Sequence, residues 1–295
     1  MSRETGFPRA DVESDFLRVR RRQVLAKLAQ KLSREPDDVN LILPFDEVIA
    51  ALGYEGERSL GLKTIKLDSI VGTVDSTRDF DRHFRPTSAR VRERWEKLAL
   101  AQRRGESIPP IDVYRVGDLH FVRDGHHRVS IALAGGQKMI DAYVTEVRTR
   151  LPAKDIRTRR DLVCKSYERL FLERVPLPAS ARERIRVSDP WSYAELGECV
   201  EAWGFRYCQH EGRFCDRAEI ARRWYADEYT PVVRMMRDAD LVGTATEAEA
   251  YMRVAAERYR LIRAHEWNDG VIQQLRGRGG LSSERRRRKP PPAAP

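Results

Sequence analysis

The sequence has little of what several common function classes require. No apolar run approaches the roughly 18 residues that a membrane helix needs. The opening stretch MSRETGFPRADVESDF holds no apolar segment of the kind that leads to a secretory cleavage site. A cytoplasmic protein with no membrane partner is the expectation. Cysteine is scarce: Cys164, Cys199, Cys208 and Cys215 form no C-x-x-C pair, so buried, reduced thiols are expected rather than a disulfide framework. Cys208, His210 and Cys215 are the one group resembling a zinc set, and their spacing fits no common site, so no metal is expected. Histidine is rare as well, with six in 295 residues.

Charge is plentiful instead. Charged residues make up 34% and hydrophobic residues 41%, enough for a core beneath a heavily charged surface. The formal charge of +10 invites a nucleic-acid reading, but Arg276 to Pro295 carries seven basic residues against Glu284 alone. That tail accounts for +6 and leaves the body near +4, so the basic balance mostly reports the tail. Its run GRGGLSSERRRRKPPPAAP cannot build a core and is expected to be disordered.

Patterning divides the rest. Residues 11–32 predict a basic amphipathic helix with Phe16, Val19, Val24, Leu25 and Leu28 on its apolar side, and LPFDEVIAALG predicts a short helix ending at Gly53. From Leu62 the texture changes. LKTIKLDSIVGTV alternates as a strand and turn; Val91, Trp95 and Leu98 have helical spacing up to a stop at Gly105. IPPIDVYRV and LHFVR flank Gly117-Asp118 as a hairpin, HRVSIALAGG follows as a helix ended by Gly135-Gly136, and MIDAYVTEV closes as a strand. After Leu151 helical patterns dominate: DRAEIARRWYADEY predicts a helix ended before Pro231, and Thr246 to Glu249 reads as a capping box opening another. The expected architecture is α+β, with an N-terminal helical extension over 1–58, a small mixed sheet with helices over 59–150, a helical domain over 151–275 and a basic tail over 276–295.

Two of the six histidines stand together in VRDGHHRVSIA, at the corner between a predicted strand and a predicted helix. A helix N-terminus offers unpaired backbone N–H groups and the positive end of its dipole, and a glycine before it lets the chain turn tightly and a ligand approach. That is a ready anion site. Arg128 adds a planar fork suited to phosphate oxygens, His126 and His127 add imidazole donors, and Asp124 is placed to cap the helix, hold a histidine or meet a cation. Phosphate satisfies all of these at once, against the plain alternative of an Asp-Gly turn with solvated neighbours.

The stretch SIPPIDVYRVGDLHFVRDGHHRVSIALAGGQKMIDAYVTEV resembles the core of the ParB/sulfiredoxin-like superfamily, in which a Gly-x-x-Arg corner between strand and helix binds nucleotide phosphates. IKLDSIVGTVDSTRDF resembles that superfamily's first strand and its arginine-bearing loop, which implies that Arg78 lies near the same site. The DGHHR form is closer to ParB-like free serine kinases than to chromosome-partitioning proteins, which carry Gly-Glu-Arg-Arg. The resemblance runs from about Leu62 to Val147. Sulfiredoxin's corner cysteine is replaced here by His126 or His127, which removes cysteine redox chemistry. A third nucleotide motif and a convincing DNA-binding helix-turn-helix are missing downstream, and Pro109-Pro110 stands where partitioning proteins have Gln-Pro.

The expectation is a nucleotide-binding ParB-like protein, with NTPase or small-molecule phosphotransferase chemistry left open. The site would comprise Gly125, His126, His127, Arg128 and Arg78 around the phosphates of a nucleoside triphosphate with Mg²⁺, with Asp124 and His127 as catalytic candidates. Asp46, Glu47 and Asp75 are further candidate bases. Two alternatives stand beside it. One is a DNA-associated factor related to chromosome partitioning, binding through the basic tail and first helix. The other is a non-catalytic interaction module on the same fold, with a homodimer or a partner meeting tryptophans such as Trp191, Trp203, Trp224 and Trp267.

Overall fold

The structure is a computed structural model that describes residues 5–33, 42–74, 79–154 and 156–262. Arg78, Asp75, Trp267 and the tail over 276–295 lie outside the described residues. The chain divides into two compact units between Arg169 and Leu170.

The first unit is α+β. Its six-stranded mixed sheet comprises β1 (Leu43–Pro44), β2 (Tyr54–Lys66), β3 (Ile70–Thr73), β4 (Ile111–Val116), β5 (Leu119–Asp124) and β6 (Met139–Thr149). Their order across the sheet is β1-β3-β5-β4-β6-β2. β1, β3 and β5 run parallel, so their C-terminal ends share one edge of the sheet. β4 lies antiparallel to β5 through the Gly117 turn and parallel to β6, and β2 pairs antiparallel with β6.

Alternation along the central strands sends successive side chains to opposite faces. Val113 and Val122 face one another in register on one side, where Phe16 of α1 (Pro8–Ser33), Trp95 of α3 (Arg92–Arg103) and Val129 of α4 (His126–Ala134) complete a buried core. Phe16 meets Trp95 edge-on at 5.6 Å, and the indole Nε1 of Trp95 donates to Ser130 Oγ at 2.9 Å, which joins α3 to α4. On the other side Tyr114 and Phe121 pack against Phe45 of α2 (Phe45–Leu52), with Phe45 and Tyr114 stacked at 4.7 Å. Gly72 permits that closeness: a Cβ there would stand 2.3 Å from Phe121 Cδ1 and 2.4 Å from the Leu43 carbonyl oxygen.

Several expectations change. β2 begins at Tyr54, eight residues before the alternation becomes visible at Leu62, because its first half is exposed on an edge strand and carries no two-residue burial rhythm. The first helix buries Phe16, whereas Val24, Leu25 and Leu28, read as members of the same apolar face, are exposed.

The second unit is helical. The helix α5 (Arg159–Arg174) crosses the boundary and is followed by α6 (Ala179–Arg182), α7 (Ser192–Glu211), α8 (Arg217–Arg223), α9 (Thr230–Asp238) and α10 (Glu247–Ile262). Trp224 and Tyr251 are buried together, the indole donating to the Tyr251 hydroxyl at 3.2 Å, so this tryptophan is core rather than partner surface. Trp191, by contrast, is exposed. Pro231 does not end a helix. A π-helical segment, Trp224–Tyr229, joins α8 to α9 without a turn, and Pro231 sits in the first turn of α9, where its missing N–H costs little. The stretch therefore lacks the bend of a helix-turn-helix.

Candidate functional site

The corner forms where the parallel strands β3 and β5 end. Thr73 and Val122 pair in register, and the Thr73 hydroxyl donates to the Val122 carbonyl at 3.1 Å. The same oxygen lies 2.6 Å from His126 Nε2. With the hydroxyl proton given to Val122, the hydrogen in this contact belongs to His126 Nε2. Gly125 turns the chain with φ 110° and ψ 20°, a left-handed conformation that side chains resist. It also needs to be glycine for space, since a Cβ would sit 2.5 Å from Ile111 Cγ2. The helix α4 starts at once, its Val129 N–H bonded to the Gly125 carbonyl at 3.0 Å, and no side chain caps its N-terminus.

Arg128 is not a free fork. Its Nη1 donates to the carbonyl oxygens of Pro109 at 2.9 Å and Pro110 at 2.5 Å, and its Nη2 pairs with Asp124. The side chain is only 13% exposed. The guanidinium thus ties the entry of β4 to the first turn of α4. Three protein acceptors engage three of its five N–H donors, so Arg128 anchors the corner, and the expected phosphate contact would have to be made through the remaining two. Asp124 answers the same cation, although its own side chain stays 60% exposed.

The two histidines sit in different surroundings. Phe80 stacks over His126 at 6.2 Å and meets His127 edge-on at 5.2 Å, and Phe84 flanks His126. Burial pushes the His127 pKa down to about 4, and the charges of Arg94 and His126 press the same way, against weaker opposition from Asp79 and Asp124. His127 is therefore neutral at pH 7, and its buried Nε2 has no hydrogen-bond partner. A buried ring nitrogen without a partner is costly to keep.

Four contributors carried no pattern in the sequence. Thr73 is a strand-end residue whose importance depends on the neighbouring strand. Phe80 and Phe84 belong to a self-bonded loop in which Asp81 Oδ1 accepts from the backbone N–H groups of His83 and Arg85, each at 3.0 Å, and Phe80 bridges Pro86. Phe84 adopts φ 52°, a strained backbone for an aromatic residue, held because its ring is fully buried. Arg94 comes from α3 and is an exposed residue. The spacing in RDFDRHF hints at an Asx-type turn, but which histidine it would cover depends on the fold.

Asp46 and Glu47 open α2 at the end of β1; Glu47 pairs with Arg159 at 2.8 Å. Among the described residues no group of three His, Cys, Asp or Glu side chains is placed to hold a metal. Mg²⁺ usually keeps waters and takes one or two carboxylates plus phosphate oxygens, so any such ion here would depend on the phosphates for most of its ligands. Among the described residues no helix is long and apolar enough to cross a membrane.

No family model and no curated protein matches the chain. Among solved structures it is similar to a Pnob8-like ParB-N domain, over 76% of this chain and 84% of that one, with 9% identity and a TM-score of 0.21. At that TM-score the likeness is distant and aligns no residue of one site on the other.

Proposed function

We propose that the first unit binds the phosphate chain of a nucleotide at the N-terminus of α4. The observation that carries this reading is the buried, unpartnered Nε2 of His127 beside an uncapped helix start, at the C-terminal ends of two parallel strands. Ligands in sheets with parallel strands settle at that edge, where helix N-termini deliver amide donors. The backbone turn at Gly125 lets phosphate oxygens come close, Arg94 supplies the cation, and His127 with Nε2 protonated donates a hydrogen bond. Phe80 and Phe84 form an apolar wall. The resemblance of DGHHR and its flanks to the ParB/sulfiredoxin-like superfamily supports the same ligand class. Binding comes first in this reading. Phosphoryl transfer would need an acid or base, and Asp124 is held by Arg128.

Equilibrium titration of the purified full chain with ATP, CTP and GTP, each with Mg²⁺, tests it. Saturable binding is expected, weakened at least about tenfold in Arg94→Ala and in His127→Ala, in line with the ~1.5–3 kcal/mol of a hydrogen bond to a charged group. Absence of binding by all three, or equal affinity in both folded variants, contradicts the proposal.

A further inference from the structure

The second unit contains a cavity of about 1000 Å³ whose lining includes Val200, Phe205, Phe214, Ile220 and two thiols, Cys208 and Cys215. The thiols are seven residues apart, yet a helix end brings them together. The helix α7 stops at Gly212, which takes the left-handed conformation with φ 64°, and the N–H groups of Gly212 and Arg213 both return to the Cys208 carbonyl, the latter at 3.3 Å. The chain reverses over its own last turn and reaches Cys215, next to Asp216, the N-cap of α8, whose carboxylate accepts from Glu219 N–H at 2.7 Å. Arg213 is clamped to Glu219, which fixes the loop between the two helices. Close packing fixes the helices themselves: a Cβ on Gly204 would meet Ile220 Cγ2 at 2.5 Å. In this frame Cys208 and Cys215 share one cavity wall, with the Arg213 N–H on the Cys208 carbonyl and Cys215 Sγ 3.9 Å from the Arg213 carbonyl.

We propose that Cys208 and Cys215 form a reversible thiol–disulfide pair, oxidised by a low-molecular-weight disulfide such as glutathione disulfide. Cys208, half-buried and on the cavity wall, is the attacking sulfur. Its thiolate displaces one glutathione thiolate, giving a mixed disulfide on Cys208. The Cys215 thiolate then attacks Cys208 Sγ and expels the second glutathione, leaving the internal disulfide. Two protein thiols are oxidised by two electrons, and one glutathione disulfide is reduced to two glutathione molecules. Burial raises the Cys215 pKa to about 11, and the neighbouring Cys208 pushes the same way, so little thiolate is present at pH 7 and the second step accelerates as pH rises. This inference concerns the second unit and is independent of the nucleotide reading.

The test uses the reduced full chain, incubated with glutathione disulfide at pH 7 and pH 9, quenched by alkylation and mapped by peptide mass spectrometry. The expected product is a Cys208–Cys215 disulfide, formed faster at pH 9, with two thiols lost and both restored by dithiothreitol. In Cys215→Ser and Cys215→Ala, two substitutions that differ in polarity, the reaction should stop at glutathione on Cys208. In Cys208→Ser, Cys215 should remain unmodified. A wild-type chain that stops at glutathionylated Cys208, or that reacts at Cys164 or Cys199 while Cys208 and Cys215 stay reduced, overturns the proposal.

Discussion

Arg128 shows how much a single side chain's role depends on acceptors far away in sequence. A guanidinium after Gly-His-His suggests anion binding, yet here Pro109, Pro110 and Asp124 hold it. Lysine keeps the charge but cannot span three acceptors, because its donors radiate from one atom. Arg128→Lys is therefore expected to lower unfolding free energy by about 1–3 kcal/mol, measured by denaturant melts, while nucleotide affinity of the folded protein changes less than in Arg94→Ala. The opposite ranking would restore Arg128 as the phosphate ligand. Gly125→Ala is expected to cost more, above about 2 kcal/mol, since it combines a left-handed backbone with an overpacked contact on Ile111. The glycine and both histidines were legible because residue type and order announce a tight strand-to-helix turn. Thr73, Phe80, Phe84 and Arg94 were not, because each reaches the corner from another element.

At the level of elements, local signals were read where the chemistry is local. The hairpin around Gly117, the stop of α4 before Gly135 and the helix ending at Gly53 follow from turn and capping chemistry confined to a few residues. The capping box of α10 is formed as its residues imply: Thr246 N–H donates to Glu249 Oε2 at 3.1 Å, and Glu249 N–H donates to Thr246 Oγ1 at 3.3 Å. Thr246→Ala should cost about 1 kcal/mol, visible as a lower midpoint in chemical denaturation; an unchanged midpoint would mean the box contributes nothing. What escaped was governed by environment. β2 hides its first half on an exposed edge, and Pro231 reads as a helix breaker until the π-helical turn before it is seen. Cys208 and Cys215 stood out in the sequence only as a zinc-like set with His210 of atypical spacing; that they share a cavity wall depends on Gly212 reversing the chain.

For the molecule as a whole, one buried and one half-buried histidine tie stability to pH. His120 and His127 both have pKa values pushed down to about 4, by burial above all, against about 6.5 in the unfolded chain. Between these values the unfolded state binds protons that the folded state refuses, so their contribution is complete above pH 6.5 and is lost as pH falls toward 4. Thermal melts at constant ionic strength should show a falling midpoint over that window, with a shallower fall in His120→Gln and His127→Gln. A midpoint that rises from pH 6.5 to pH 5 would contradict the assignment. The net charge, by contrast, says little about the folded units, since most of it lies in the tail beyond the described residues.

The central claim is that His127 gives its vacant nitrogen to a phosphate. Histidine titration by NMR, on the full chain with and without saturating nucleoside triphosphate, tests it most directly. The pKa of His127 should be near 4 in the free protein and should rise when the polyanion binds, because a neighbouring negative charge favours imidazolium. A His127 titration curve that nucleotide leaves in place, at concentrations where binding is otherwise detected, would put the phosphate elsewhere and contradict the account.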